Sequence, residues 1–369
     1  VNNTTHPDTP ALDAGPRTVP TVSVILPVRN ERASVEACLS AVLGQDYPAD
    51  QLEVVVVDGG STDGSQEFVE ALAQSDPRIR LVHSPAGTIP AGMNVGIRAA
   101  RGDVIARVDA RALLAPDYIR TAVSLLESTG AANVGGPVRS ITRTTVGHAL
   151  AMAWSSRFGL GGAAARYGES TEHWTDTVYL GVFPRRVLET SGLYDESIVQ
   201  DEDTELNYRI RADGGRILMS PRLRSTYLNQ PTLGRIARKN FLFGWSKALV
   251  WRKHPRMIRI RHLVPPAFVG ALLAGLPLAG TYPGLLPLWA SLAASYAIAC
   301  LVVTAAHLVR TRKRGALLLV VVFPLIHFAW GLGFLWGAVG EALRALVPWA
   351  TSPAIARPAA HVVSERGKR

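Results

Sequence analysis

Apolar runs and polar turns succeed one another in a regular beat over the first 130 residues. Val22–Val28 (V-S-V-I-L-P-V) predicts a short buried strand, with polar Arg29-Asn30-Glu31 at its end. Ser34–Leu43 places Val35, Leu39 and Val42 on one helical face. Leu52–Val57 is almost continuously apolar, as strands covered on both faces are, and runs into Asp58-Gly59-Gly60-Ser61-Thr62-Asp63-Gly64-Ser65. Further helices are expected at Ser65–Gln74, Ile89–Ala100 and Pro116–Ser128, and strands at Arg80–His83 and Val104–Val108. Strand, polar turn and helix in repetition predict an α/β domain with a doubly wound, parallel sheet. Crossovers in such sheets are right-handed, so Glu31, Asp58 and Asp109, each just past a strand, are expected on one edge. Ligands of open α/β sheets collect at that edge.

Beyond Asn133 the beat loosens. Val134–Val138 and Asp176–Phe183 read as strands, Gly192–Glu196 as a turn and Val199–Arg211 as a helix. On that helix Asp203, Leu206, Asn207 and Ile210 share a face, and acids in its first turn suit the helix dipole. His148–Gly168 is rich in Gly and Ala, which fits either a loop or a helix lying on lipid. Leu263–Val309 holds no Asp, Glu, Lys or Arg and breaks at Thr281-Tyr282-Pro283-Gly284; Gly315–Gly340 is a third uncharged tract. Segments 263–281, 285–309 and 315–340 approach the ~20 residues that cross a bilayer. The expected organisation is a disordered lead over 1–20, an α/β domain over 21–234, a basic juxtamembrane segment over 235–262, a membrane region over 263–342 and a polar tail over 343–369.

Charge sharpens this reading. The chain carries a net charge of +10, and Arg235–His262 holds nine Lys or Arg with no Asp or Glu. Basic residues directly before an apolar span mark a cytoplasmic flank, so the excess charge points to a membrane rather than to nucleic acid. Three crossings would carry the tail to the far side, whereas Arg357, Arg366, Lys368 and Arg369 favour the near side. The pattern therefore leaves open one re-entrant or interfacial segment. Cys38 and Cys300 make no disulfide framework, as expected in a reducing cytosol. The first residues show no apolar signal core.

The candidate chemistry centres on Val104–Leu114 (V-I-A-R-V-D-A-R-A-L-L), where a strand delivers Asp109 between Arg107 and Arg111. An acid at a strand end with cations beside it suits a metal ion and a phosphate-bearing ligand. Three carboxylates on one rim beside Gly-rich turns suit a nucleotide. Neither a GxGxxG fingerprint nor a Walker sequence is present.

These stretches resemble inverting glycosyltransferase family 2, and within it membrane-anchored exopolysaccharide transferases of the succinoglycan-biosynthesis type. The resemblance runs from about Val22 to Val250. It is carried by V-S-V-I-L-P-V-R-N-E, V-V-V-D-G-G-S-T-D-G-S, A-G-M-N-V-G-I-R-A-A-R-G-D, A-R-V-D-A-R, S-S-R-F-G-L-G-G, D-T-V-Y-L-G-V-F, G-L-Y-D-E and E-D-T-E-L-N-Y-R, in that order. It implies a GT-A fold: a mixed, mainly parallel sheet flanked by helices, then C-terminal transmembrane helices. It implies a nucleotide-sugar site of Pro27, Arg29, Glu31, Asp58, Ser61, Asn94, Arg98, Arg107, Asp109 and Arg111, with Glu31 and Asp58 on the nucleoside. Asp109 would hold a divalent metal, Mg²⁺ or Mn²⁺. Asp203 would be the general base, with Asp176, Glu202 and Arg209 around the acceptor.

Two departures matter. The family's Asp-X-Asp reads Asp109-Ala110-Arg111, so metal dependence and direct neutralisation of phosphate by Arg111 are both open. The Gln-X-X-Arg-Trp motif of processive synthases is replaced by Lys239-Asn240-Phe241-Leu242-Phe243-Gly244-Trp245, so one sugar per encounter is expected. The expected donor is a UDP-hexose and the expected acceptor a polyprenyl-diphosphate-linked saccharide at the cytoplasmic face of the inner membrane. Polysaccharide-assembly membrane proteins are expected partners. Transfer to polyprenyl phosphate itself is the alternative enzyme reading; a non-catalytic scaffold or transporter component is the alternative of another class.

Overall fold

The computed structural model describes residues 19–160, 171–229 and 231–346. The expected lead and tail lie outside these residues except for 19–20 and 343–346, as do residues 161–168 of the small-residue segment. The strands are β1 (Val22–Val28), β2 (Leu52–Asp58), β3 (Ile79–His83), β4 (Val104–Arg107), β5 (Ala112–Leu114), β6 (Asn133–Gly136), β7 (Ser140–Ile141), β8 (His173–Thr175), β9 (Tyr179–Pro184), β10 (Ile217–Met219) and β11 (Ser225–Leu228). Eight of them form one sheet in the order β3-β2-β1-β4-β9-β6-β10-β8; β5, β11 and β7 form a small second sheet. Parallel pairing joins β3, β2, β1 and β4, and also β6 and β10. β9 runs antiparallel between β4 and β6. The sheet is thus mixed, because apolar periodicity reports burial and not strand direction. The strand expected over Asp176–Phe183 begins only at Tyr179 as β9, with Asp176 in the bend that separates it from β8.

Helices α1 (Arg32–Leu43), α2 (Ser65–Ser75), α3 (Ile89–Ala99), α4 (Tyr118–Thr129), α5 (Thr145–Ser155), α6 (Arg157–Leu160), α7 (Arg185–Thr190) and α8 (Glu202–Ala212) connect the strands. Alternate residues of the central strands feed two cores. Val24, Leu26, Val54, Val56 and Ala106 pack with Val35 and Leu39 of α1 and Ile119 of α4. Ile25, Val55, Val57 and Ile105 pack with Met93 and Ile97 of α3, Leu188 of α7, and Leu206 and Ile210 of α8. The parallel strands β1, β2 and β4 end together, which brings their following turns to one rim.

Helix α9 (Leu233–Lys253) then lies between this domain and three long apolar helices, α10 (Ile260–Thr281), α11 (Leu286–Thr311) and α12 (Leu319–Leu346). Each of the three, extended by short 3₁₀ turns before α11 and α12, is long and apolar enough to cross a membrane. α9 is tied to the α/β domain by ion pairs of Lys247 with Asp201 and Lys253 with Asp195, and by His254 Nε2 at 2.9 Å from Glu205.

Candidate active site

A cavity of 270 Å³ opens at the rim formed by β1, β2 and β4. Its walls include Pro27, Arg29, Glu31, Gly87, Asp109, Arg111 and Tyr227. Of the ten expected donor residues, five (Pro27, Arg29, Glu31, Asp109 and Arg111) line this space. Arg29 donates from Nη1 to the Gly87 carbonyl at 2.9 Å, which fastens the loop before α3 to the end of β1. Asp58 is buried behind the wall, and its carboxylate accepts from the backbone N–H of Gly60 (2.8 Å) and of Ser61 (3.1 Å). It therefore shapes the Gly-rich turn. The Ser61 hydroxyl accepts from the Asn30 N–H at 3.0 Å, joining the turns after β1 and β2.

The remaining expected donor residues are dispersed. Asn94 is buried on α3, where its amide donates to the Tyr194 carbonyl and to Glu196 and accepts from the Tyr194 N–H, each at 2.9 Å. It clamps the Gly192–Glu196 turn rather than lining the cavity. Arg98 is exposed on α3 and does not line it either. Arg107 is buried at the end of β4, with Nε 3.2 Å from Asp109 Oδ1 and Nη1 2.9 Å from Glu202 Oε1. Burial alone would favour its neutral form, but Asp109 and then Glu202 outweigh that and hold the guanidinium firmly charged.

Glu202 and Asp203 open α8, and Asp201 precedes them in a left-handed conformation at φ 70°. Burial raises the Glu202 carboxyl above its ordinary value, an effect opposed by Arg107 and reinforced by Asp203. Asp203 is part-exposed and accepts from the Thr204 N–H at 2.7 Å. The result is a continuous row, Asp109–Arg107–Glu202–Asp203, from the small cavity to the start of α8.

A second cavity of 760 Å³ lies against the start of that helix. Asp201, Thr204 and Tyr208 form one wall, Asn240, Phe243 and Lys247 of α9 another, and Phe268, Tyr296, Ile326 and Trp330 of the apolar helices a third. Arg157, Arg211, Arg256, Arg259 and Arg261 ring its polar side. Asp176 lines this cavity, 2.7 Å from Arg211 and ion-paired with Arg259, so it stitches α8 to the start of α10. Arg209 faces elsewhere. It grips Glu205 with two bonds of 2.8 Å and donates to the Ser191 and Leu193 carbonyls, holding the turn before α8.

Sequence reasoning missed Tyr227, because β11 is too short to show a period, and Tyr194, whose ring lies 6.0 Å from the Arg107 guanidinium. It also missed the cavity walls from α10–α12, since nothing in an apolar tract says which residues turn toward a neighbouring domain.

The residues on the donor rim fit a protein-held divalent cation poorly. Asp109 is engaged by Arg107, Arg111 stands where a second acid would be, and among the described residues no three His, Cys, Asp or Glu gather as a metal site.

Known proteins share this architecture. The model of glycosyl transferase family 2 matches residues 23–180. The succinoglycan biosynthesis protein ExoA of Rhizobium meliloti (strain 1021) is 29% identical over 317 residues, 84% of this chain and 93% of that protein. The dolichyl N-acetyl-alpha-D-glucosaminyl phosphate 3-beta-D-2,3-diacetamido-2,3-dideoxy-beta-D-glucuronosyltransferase of Methanococcus voltae is 24% identical over 86% of this chain and 97% of its own length. Among solved structures, the mannosyltransferase PcManGT from Pyrobaculum calidifontis, in complex with GDP-Man and Mn²⁺, superposes with a TM-score of 0.56 and 25% identity. The match covers 89% of this chain and 91% of that one. With the motif order and the sheet topology in agreement, the chain is similar to glycosyltransferase family 2 over its α/β domain and has a GT-A-like fold.

Proposed function

We propose that the enzyme moves a hexose from a nucleotide-diphosphate sugar to a lipid-linked saccharide in polysaccharide or glycoconjugate assembly, with inversion at the anomeric carbon. The observation that carries this reading is the place of Asp203. It follows Glu202, which Arg107 links to Asp109 of the small polar cavity, and it sits in the chain beside Asp201 and Thr204, which line a larger cavity with both arginine and aromatic walls. The small cavity takes the nucleotide sugar, with Glu31 accepting from nucleoside hydroxyl or N–H groups. The large one takes the acceptor. Its arginines suit a lipid phosphate or diphosphate, and the side chains of Phe268, Tyr296 and Trp330 suit the first isoprene units of the carrier.

Asp203 accepts the proton of the acceptor hydroxyl as that oxygen bonds to the anomeric carbon and the bond to the diphosphate oxygen breaks. The products are the elongated saccharide and the nucleoside diphosphate. The relatives agree in kind: one acts in succinoglycan biosynthesis, one on a dolichyl-linked sugar phosphate, and the solved neighbour holds GDP-Man.

The test is nucleotide release from UDP-, GDP- and dTDP-sugars by membranes carrying the wild type or Asp203→Asn, with and without a polyprenyl-lipid extract. Release that needs the extract and falls about 10²–10⁴-fold in Asp203→Asn is expected. Release that ignores both the extract and the substitution would remove the assignment.

A further inference from the structure

The second acid position of the donor rim carries Arg111, and the structure gives that guanidinium a definite partner. Arg111 Nε lies 2.7 Å from Glu31 Oε2 and Nη2 lies 2.6 Å from Glu31 Oε1. This is a bidentate pair between residues from the turns after β1 and β4, with the Tyr227 hydroxyl beside it. Both members line the donor cavity, and Arg111 is 39% exposed there. The rim's acids are therefore all engaged before any ligand arrives: Glu31 by Arg111, Asp109 by Arg107, and Asp58 by the N–H groups of its own turn.

A planar guanidinium that fits a carboxylate with two parallel bonds fits a phosphate in the same way. We infer that Arg111 is the diphosphate ligand of this site and that the Glu31–Arg111 pair is a latch exchanged on donor binding: the nucleoside takes Glu31, and the diphosphate takes Arg111. This rests on the nucleotide-sugar reading above. The exchange leaves neither group without hydrogen-bond partners. Glu31 gains hydroxyl or N–H donors, and Arg111 trades one anion for another. Because Arg111 supplies positive charge at the leaving group, nucleotide binding does not require a divalent cation.

The test is equilibrium binding of UDP, GDP and inorganic pyrophosphate to the detergent-solubilised full chain, in EDTA and in Mn²⁺. Wild-type affinity for the nucleotide that binds is expected to agree within about threefold between the two buffers, less than one lost charge-assisted bond would cost. Arg111→Ala should lose about tenfold or more in EDTA, and Arg111→Lys, which keeps the charge but not the fork, should lose less. Arg111→Asp should bind nucleotide only with Mn²⁺. Glu31→Gln, which frees Arg111, should bind pyrophosphate more tightly than the wild type while losing preference for the nucleotide. Wild-type binding that collapses in EDTA, or an Arg111→Ala protein that binds as the wild type does, overturns the inference. Failure of the donor reading looks different: neither nucleotide binds folded wild-type protein in either buffer, and the latch falls with it.

Discussion

A guanidinium shut away from water must find its counter-charges in the protein, and Arg107 finds two, Asp109 and Glu202. Removing it strands Glu202, which is nearly fully buried, so Arg107→Met is expected to cost about 3–5 kcal/mol. Arg107→Lys should recover only part, since an ammonium cannot address both acids with a planar fork. Denaturation of the solubilised enzyme measures both. Glu202 also makes a prediction with pH. Its folded carboxyl is raised by burial, so between the ordinary glutamate value and that raised value the folded chain holds more protons than the unfolded one. Wild-type stability should therefore fall, relative to Glu202→Gln, as pH rises through that window. Thermal midpoints of the two proteins from about pH 4.5 to 8 check it, and a difference constant with pH would contradict it. Much of this site was legible at the residue level. Asp109, Arg107, Glu202 and Asp203 sit in motifs whose types announce their chemistry. The Glu31–Arg111 pair was not, because it joins positions 80 residues apart that meet only when β1 and β4 pair.

Among the elements, the long parallel strands and their helices were readable because each shows several turns of one period. The strands of the small sheet have two to four residues, too few to carry a pattern, yet they bring Tyr227 to the donor rim. Asn94 and Arg209 lie in family motifs, but their side chains serve the turn before α8, which sets where Asp203 stands. α9 shows the same limit from the other side. Its charge marks a membrane flank, and what it packs on is set by glycine. A Cβ at Gly244 would lie 2.0 Å from the Trp330 carbonyl, and one at Gly333 would lie 2.0 Å from the Phe241 carbonyl, so α9 and α12 touch backbone to backbone. Gly244→Leu must push them apart at a cost of about 1–3 kcal/mol. Asn240, Phe243 and Lys247 line the large cavity from α9, whereas the small cavity contains no residue of that helix. The expected result is a raised acceptor KM or lost transfer with nucleotide affinity unchanged. Equal loss of both would show that the two cavities are not independently supported.

At the scale of the whole molecule, three helices qualify as spans by length and apolarity, but they are not covered alike. The most apolar stretch of α10 is 17% buried in the protein and that of α11 is 11%, against 44% for α12. The contacts explain the difference. Gly315, just before α12, lies against Thr145 of α5, and Phe323 lies against Gly159 of α6. His327 Nε2 is 2.9 Å from the Phe158 carbonyl, and the Phe334 ring stacks on Trp251 of α9 at 5.7 Å. α12 thus runs along the catalytic side for most of its length, on a helix that is itself tied down through Lys247 and Lys253. The far halves of α10 and α11 meet each other instead, with Trp289 Nε1 donating to the Leu272 carbonyl at 3.0 Å. This packing predicts a hairpin of two crossings with α12 lying in the interface. Such a hairpin would return Arg310, Arg312, Lys313 and Arg314 to the side of the catalytic domain, in keeping with the positive-inside tendency. The sequence left one segment open as re-entrant or interfacial, and this prediction assigns the third. In sealed vesicles with the catalytic domain inside, Gly284→Cys at the hairpin tip should react with an impermeant maleimide, whereas Gly340→Cys should react only after the vesicles are opened. Cys38 would not confuse the readout, since burial pushes its thiol up to about 12 and keeps it unreactive. Labelling of Gly340→Cys from outside would mean that α12 crosses as well, and that its contacts with α5, α6 and α9 give way to lipid.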